Sequence, residues 1–300
     1  MKKLVVLSMM ATMILFASCD KDGVYNPIKK ISKITCTRTH IGTQGTESNT
    51  TEQNWTWNKN QLQKIVYYDR EDQYTWTEEF SYNKSGRLIR VEDKEKEEYT
   101  TYEYEGDQLN KVVYYYNNFR ECEYHFKYEG EKLSEIECWE FSDYYSIKKE
   151  NRSNPLAFVC SPEIANLTQK VVDDVAVATE GQPHRKMEVD ITTISLKWDG
   201  NNISRMIYTY PFYNERCEYL LTYDKKVNPF AGFFALDFDY AYDYDYVYKN
   251  ANNIVSMTEV GSMWKREYNY TYKGQYPESY TYTDVYENSS YRYDYKIEYK

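Results

Sequence analysis

The 300-residue chain lacks the groups that most catalytic and nucleic-acid-binding sites use. Its three histidines, His40, His125 and His184, show no paired metal-ligand spacing, and the chain has neither a nucleophile elbow nor a phosphate-binding loop. The 37 Lys and Arg residues are outnumbered by 47 Asp and Glu, and no Lys/Arg cluster provides the basic footprint that nucleic acid requires. We therefore expect no nucleic-acid partner, no cofactor and no metal site, and an enzyme is disfavoured.

The sequence also has no apolar run long enough to cross a bilayer as a helix. The longest run, Leu4 to Ser18, has 15 residues and follows the basic start Met1-Lys2-Lys3. A membrane-spanning helix needs about 20 apolar residues, whereas a short run behind a basic start is typical of a secretory signal peptide. Residues 1–18 are therefore predicted to be a signal peptide.

The residues around Cys19 indicate how the mature chain is held. Phe16-Ala17-Ser18-Cys19 resembles a bacterial lipobox, which predicts a lipidated Cys19, with an ordinary cleavable signal as the alternative. Asp20-Lys21-Asp22 resembles the surface-export signal of Bacteroidota lipoproteins. The resemblance implies a lipid-anchored outer-membrane protein exposed at the cell surface, with the periplasmic face as the alternative. Residues 19–30 are then the lipidated cysteine and a flexible tether, and the anchor is the expected contact with the membrane.

Cysteine is too sparse and too irregularly spaced for a disulfide framework or a zinc site. Cys19 apart, five cysteines remain, which are Cys36, Cys122, Cys138, Cys160 and Cys217. Cys122 and Cys138 flank a two-residue turn in which Glu129 faces Lys132. Counting back from that turn places Cys122 opposite Trp139 and on the other sheet face from Cys138. We expect no disulfide between them.

Tyrosine is in excess, with 36 residues, and it leads a repeated pattern. An aromatic residue is followed by four or five turn-like residues, an aliphatic residue, two more residues and a second aliphatic residue. The copies begin at Trp57, Tyr82, Tyr104, Tyr128, Trp198, Tyr223, Tyr248 and Tyr272. They lie about 24 residues apart, and the one larger gap, between Tyr128 and Trp198, is close to three units. One period is therefore predicted along the whole of residues 31–300.

Each unit is predicted to be one β-hairpin. Polar and aromatic residues alternate before the turn, and Gly106, Gly130 and Gly200 stand first in two-residue turns, as type II′ turns prefer. The longer turns carry Gly86 or Asn252 where a left-handed residue is needed. The predicted fold is all-β: a single-domain antiparallel meander of eight to ten hairpins, forming a closed barrel or a strongly curled sheet. Aliphatic residues three apart require either a β-bulge in each unit or apolar surface on both sheet faces.

One segment departs from the hairpin pattern. Ser161-Pro162-Glu163 is typical of a helix start, and Ile164, Leu167 and Val171 follow at helical spacing. This predicts one short helix over residues 162–177. The β-branched residues towards the end of that range favour a strand as the alternative.

Two segments resemble known families. Tyr82-Asn83-Lys84-Ser85-Gly86-Arg87-Leu88 resembles the tyrosine-led repeat of Rhs-type (YD-repeat) proteins. Tyr223 to Phe230, which ends in Asn228-Pro229-Phe230, is similar to a segment of Bacteroidota lipoproteins of unknown function, some grouped as porin-like. The resemblance implies an all-β barrel or curled sheet with no catalytic residues. Because the strand faces carry Tyr, Glu, Lys and Thr, we expect the barrel to stand in water on its anchor rather than in the membrane.

The remaining candidate residues are aromatic and acidic. Trp57 and Trp198 lead repeats and are expected in the core, whereas four tryptophans lie off the leading positions and are candidates for a ligand-binding surface: Trp55, Trp76, Trp139 and Trp264. Asp237 to Tyr248 alternates acidic and aromatic residues, which favours a solvated acidic strand face over a calcium site. We expect a non-catalytic binding module for a glycan or a protein at the cell surface, with an envelope-assembly scaffold without a small ligand as the alternative.

Overall fold

The computed structural model describes residues 21–43, 45–141, 189–211, 214–233, 250–285 and 289–300. Those residues form strands and turns, and none of them is helical. The signal peptide, Cys19, Cys160, His184, the predicted helix 162–177 and the acidic segment 237–248 lie outside the described residues. The strands are β1 Ile31–Gly42, β2 Gly45–Asn58, β3 Gln61–Asp69, β4 Tyr74–Tyr82, β5 Leu88–Asp93, β6 Glu98–Glu105, β7 Gln108–Tyr116, β8 Phe119–Glu129, β9 Lys132–Phe141, β10 Val189–Asp199, β11 Asn202–Tyr210, β12 Glu215–Val227, β13 Asn252–Glu259, β14 Lys265–Glu267, β15 Asn269–Lys273, β16 Tyr276–Val285 and β17 Ser289–Tyr299.

The strands form one antiparallel meander that closes into a nearly complete barrel. Neighbours along the chain pair with each other, and β1 pairs with β17 as well as with β2. β14 and β15 act as one strand interrupted at Tyr268, since β14 pairs with β13 and β15 pairs with β16. The predicted all-β meander is therefore confirmed. We call the end of the barrel at Ile31 and Tyr299 the bulge end, and the opposite end the rim.

Each hairpin at the bulge end contains the same β-bulge. Trp57 pairs with Leu62 while Thr56 pairs with Lys64, so that Gln63 has no partner and both Leu62 and Ile65 point inward. The bulge explains the aliphatic spacing and removes the alternative of an apolar outer face. Equivalent register shifts follow eight aromatic–apolar pairs, namely Trp57–Leu62, Tyr82–Leu88, Tyr104–Leu109, Tyr128–Leu133, Trp198–Ile203, Tyr223–Ile254, Tyr272–Pro277 and Tyr299–Ile31.

The prediction of one unbroken period is wrong at two places. Phe141 pairs directly with Val189, so β9 and β10 are neighbours and no other unit of the described sheet lies between them. Ile254, which the sequence pattern assigns to a unit led by Tyr248, pairs with Tyr223 instead. The described sheet thus has eight units, and the eighth, Tyr299 with Ile31, is built from the two ends of the chain.

Six of the eight leading aromatic residues tie their unit to the one before it, whereas Tyr128 and Tyr272 donate to the carboxylates of Asp22 and Asp224. The hydroxyl of Tyr82 donates a hydrogen bond of 2.8 Å to the carbonyl of Leu62, and the hydroxyl of Tyr104 donates one of 2.6 Å to Leu88. Trp57 and Trp198, predicted in the core, are partly buried against it. Their indole N–H groups donate to the carbonyls of Ile31 and Leu133 in the preceding units. Each such bond satisfies a carbonyl beside a bulge, where the strand ladder is interrupted.

The predicted turn chemistry is mostly confirmed. Gly106, Gly130 and Gly200 have φ of +58°, +66° and +56°, and the residue after each has a negative φ, as in a type II′ turn. Gly86 has the expected left-handed conformation, with φ of +81°. Asn252 does not, because it lies in β13 opposite Val227.

The register predicted for Cys122 and Cys138 is wrong by one residue. Glu129 does face Lys132, but the bulge at Ser134 places Cys122 opposite Glu140 and Cys138 opposite Tyr124. Both cysteines are consequently buried on the inner face. Neither forms a disulfide, and burial raises the pKa of Cys122.

The barrel is filled and closed at the bulge end. Inward side chains from around the sheet are buried in one cluster, and Phe233 closes its end in contact with Tyr25, at 5.0 Å between ring centroids, and with Trp55, at 5.1 Å. The Tyr25 hydroxyl donates to the carbonyl of Pro229, at 2.7 Å. The prediction of a flexible tether is therefore wrong for residues 22–25, which pack on the barrel.

Candidate functional site

Trp76 does not form a binding surface. It points inward from β4, is 2% exposed and stacks on Tyr67 with 4.8 Å between ring centroids. Trp55 is likewise buried, against Tyr25 and Phe233. The sequence contains a signal for the inward position of Trp76, because it alternates in step with Phe80, an inward residue of the same strand.

Trp264 lies at the rim and covers a buried ion pair. Its ring meets Tyr219 edge-on at 5.7 Å, and the guanidinium of Arg266 lies 5.6 Å from its centroid. Arg266 in turn binds both carboxylate oxygens of Asp284, at 2.8 and 2.6 Å, with both side chains almost fully buried. These contacts give Trp264 a packing role.

Trp139 is the predicted site residue that the structure places on the outer face. It lies on β9 between Glu123 of β8 and Ile191 of β10, and its ring meets that of His125 at 4.6 Å. Its indole N–H donates to Glu137, at 3.2 Å. We call these five residues, Glu123, His125, Glu137, Trp139 and Ile191, the outer patch. The structure thus separates Trp76, Trp139 and Trp264 instead of bringing them together.

Charged neighbours fix the polar groups of the outer patch. Glu123, although on the outer face, is buried and accepts hydrogen bonds from Arg120, at 2.8 Å, and His125, at 3.0 Å. A hydrogen bond from Lys127 lowers the pKa of Glu137, which keeps this carboxylate ionised. The patch therefore offers an aromatic ring with the Glu137 carboxylate beside it, while the buried Glu123 carboxylate holds the His125 ring. Sugar rings are bound by such groups, through stacking on the aromatic face and hydrogen bonds from hydroxyls.

His125 and Glu123 were not singled out in the sequence. The usable signal was the alternation Glu123, His125, Lys127 along β8, which puts these side chains on one face. Their position next to Trp139 follows only from the register of β9 against β8, which the bulge at Ser134 determines.

The rim carries a second feature, a set of exposed apolar side chains. Met263 is fully exposed in the connection from β13 to β14, and Phe119 is 65% exposed at the start of β8. Other exposed members at this end are Ile41, Tyr74, Val260 and Val285. They are distributed around the ring, from β1 and β4 to β8, β13 and β16, so the rim has several exposed apolar groups that another molecule could cover.

The described residues contain neither a candidate metal site nor a membrane-crossing helix. Within the described ranges, no three His, Cys, Asp or Glu side chains are grouped so as to hold a metal ion. No helix in the same part of the chain has the length and apolarity to cross a membrane.

Comparison with known proteins gives no family. No family model matches the chain, and no curated protein matches it. Among solved structures, the chain is similar to a porin-like protein from Bacteroides vulgatus, with 9% sequence identity and a TM-score of 0.37. The similarity covers 91% of this chain and 99% of that one.

Proposed function

We propose that this chain is a lipid-anchored, non-catalytic protein of the bacterial cell envelope that binds a glycan at the outer patch. The observation that carries the binding role is the outward Trp139 ring beside His125, with carboxylates of Glu123 and Glu137 fixed next to it. The lipobox at Cys19 and the acidic residues after it support an anchor in the outer membrane and exposure at the cell surface.

The outer face of the barrel supports a domain that stands in water. Ion pairs cover that face on well-separated strands, including Lys33–Glu52 at 2.8 Å, Lys127–Glu135 at 2.8 Å and Arg292–Asp294 at 2.8 Å. A Lys or Arg on a lipid-facing strand costs about 2–4 kcal/mol near the middle of a bilayer. The charged outer face therefore favours attachment through the anchor over insertion of the barrel.

A glycan panel tests the binding role. The protein should bind at least one glycan, and Trp139→Ala should weaken that binding about tenfold, because a stacked aromatic ring contributes about 0.5–1.5 kcal/mol beyond its buried area. Trp139→Phe should retain most of the affinity, and Trp76→Phe, a core change, should leave it unaltered. Absence of binding to every glycan, or equal affinity in Trp139→Ala, would refute the glycan role.

Membrane retention tests the anchor separately. Cys19→Ala should move the protein from the membrane fraction to the soluble fraction, because the variant has no cysteine to carry the acyl chains on which stable attachment depends. Protease treatment of intact cells should degrade the wild-type protein if it faces outward. Retention of the Cys19→Ala variant would contradict lipidation, and protection from protease would place the protein on the periplasmic face.

The rim favours a second candidate, a scaffold that holds a neighbouring envelope protein and binds no small ligand. Its exposed Phe119, Met263 and Val285 are apolar and aromatic side chains of the kind that protein interfaces bury, and a partner seated across the rim would cover all three. The triple change of these residues to Ser should abolish a specific cross-link to a neighbour in intact cells. Leu220→Ser, an exposed apolar position on β12 away from the rim, is the control and should leave the cross-link intact.

A further inference from the structure

The bulge end carries a basic patch although the whole chain has a formal charge of −10. Four adjoining stretches, 26–31, 57–61, 82–87 and 299–300, contain no Asp or Glu. The basic residues in them are Lys29, Lys30, Lys59, Lys84, Arg87 and Lys300, which together we call the basic patch. Arg87 is paired with Asp107 of the neighbouring turn, and the other five belong to stretches that the strand register brings together.

Backbone and side-chain contacts hold the patch in place. Lys30 Nζ donates to the carbonyl of Lys59 and, at 2.9 Å, to Asn60 Oδ1, and the backbone N–H of Lys300 donates to the carbonyl of Lys30, at 2.9 Å. A groove of about 490 Å³ runs between residues 24–26, 58–61 and 82–86. Amide groups of Asn26, Asn60 and Gln61 line it beside Lys59.

An exposed apolar residue stands next to the lysines. Ile28 is 82% exposed, and Lys29 and Lys30 follow it directly. An apolar side chain flanked by lysines is the combination that peripheral segments use at a bilayer surface, where the chain enters among the headgroups and the ammonium groups meet phosphates.

The N-terminal segment also fixes where the anchor leaves the barrel. The backbone N–H of Asp22 donates to the carbonyl of Asp107, at 3.0 Å, and the Asp22 carboxylate accepts the N–H of Leu109, at 2.9 Å. The carbonyl of Gly23 accepts the N–H of Leu88, also at 2.9 Å. Cys19 is three residues before Asp22, so an extended chain between them spans about 10 Å at most. An acyl chain on Cys19 therefore keeps this end of the barrel near the bilayer.

We infer that the sector of the bulge end formed by these four stretches rests on an anionic lipid surface, with the basic patch against the headgroup phosphates and Ile28 among the headgroups, while the acidic turns 105–107 and 129–131 of the same end stay off the surface. The inference rests on the lipid anchor proposed above and adds an orientation to it: the rim points away from the membrane. The turns at the rim fit this arrangement. Residues 69–72 and 93–97 carry three basic and six acidic side chains, so that an anionic surface repels them.

Hydrogen–deuterium exchange of the full lipidated protein on vesicles tests the orientation. On vesicles containing phosphatidylglycerol, peptides that cover 57–61 and 83–87 should exchange about fivefold or more slowly than on vesicles of phosphatidylcholine alone, since a basic residue at an anionic surface changes occupancy by about that factor. Peptides that cover 70–73 and 94–97 should exchange equally on both. High salt should remove the difference without releasing the protein.

Charge reversal supplies the matched variants. Lys59→Glu with Lys84→Glu should abolish the slowing on phosphatidylglycerol, whereas Lys94→Glu with Lys265→Glu, at the rim, should preserve it. No dependence on phosphatidylglycerol in the wild-type protein, or slowing at the rim instead, would overturn the inference. Equal slowing by soluble glycerol 3-phosphate without vesicles would also overturn it, because the groove would then bind a free phosphate.

The anchor can fail independently of the orientation. A protein that does not float with vesicles of phosphatidylcholine alone lacks a working lipid anchor, which contradicts the proposed function. Slowing that still depends on phosphatidylglycerol would in that case leave the docking of the bulge end standing.

Discussion

Tyrosine meets two needs of this barrel at the scale of single residues. Its ring packs on the inner face or beside the next unit, and its hydroxyl reaches a carbonyl that the bulge leaves without a ladder partner, as in Tyr82 to Leu62 and Tyr223 to Ile203. Phenylalanine supplies the first contact but not the second. Burial also raises the pKa of Tyr82, so the hydroxyl stays protonated and remains a donor.

Removing one of these hydroxyls should therefore lower stability measurably. Tyr82→Phe is expected to decrease the free energy of unfolding by about 1–2 kcal/mol, because the carbonyl of Leu62 loses its partner. Tyr115→Phe, whose ring lies on the outer face stacked on Tyr99, should change it by less than about 0.5 kcal/mol. Urea denaturation of both variants measures the difference, and equal effects would contradict a special role for the leading aromatic residues.

Individual side chains also show how far the sequence can predict the site. Of the tryptophans chosen as binding candidates because they lie off the leading positions, Trp139 points outward whereas Trp76 is in the core. Distance from the repeat's leading residue does not determine the face of a strand; parity within the strand does. For Trp76 that parity was readable from Phe80. The partner of Trp139 could not be found in this way, because counting residues back from the turn ignores the unpaired Ser134 and so misses Glu123 by one position.

At the scale of the hairpin, the bulge is what makes the repeat fold with one polar and one apolar face. Without it, Leu133 and Ile136, three apart, would point to opposite faces; with it, both are buried. The sequence pattern indicated that a bulge or a two-faced apolar sheet was required and left both open. The choice depends on closure of the barrel, which gives all units a common interior, and no single hairpin contains that information.

Deleting the bulge residue should be far more harmful than substituting it. Deletion of Ser134 moves the rest of β9 by one position relative to β8 and turns Ile136 and Cys138 outward, at a cost of about 2 kcal/mol or more for each buried apolar side chain. Ser134→Ala removes a hydrogen bond to the carbonyl of Lys127, at 3.1 Å, in an exposed position and should cost less than about 1 kcal/mol. Thermal unfolding followed by circular dichroism distinguishes the two, and a deletion variant as stable as Ser134→Ala would contradict the role of the bulge.

At the scale of the molecule, the barrel is a ring of eight equivalent units in which the chain ends supply one unit together. Tyr299 and Ile31 pair as Tyr82 and Leu88 do, so the ring closes with the same contact that builds it. The period in the sequence predicted eight to ten repeated hairpins, and the described sheet has eight units, but the gap between Tyr128 and Trp198 was expected to contribute units and adds none to the sheet. A gap near three units long has the same length whether or not it adds strands to this sheet, and the pairing of Phe141 with Val189 shows that β9 and β10 are direct neighbours in it.

That pairing makes the long connection between β9 and β10 replaceable. Phe141 and Val189 are direct partners and form the first of seven consecutive pairs, the last of which is Glu135 with Ser195. Strands joined by a short hairpin loop have this arrangement. We expect replacement of residues 143–187 by a Gly/Ser linker of about four residues to preserve the β-sheet circular dichroism spectrum. The free energy of unfolding should stay level or rise by up to about 2 kcal/mol, because a shorter loop costs less entropy to close. Removal of residues 132–141 instead, which takes away β9, should abolish cooperative unfolding, and loss of the fold in the linker variant as well would show that the ring needs the long connection to close.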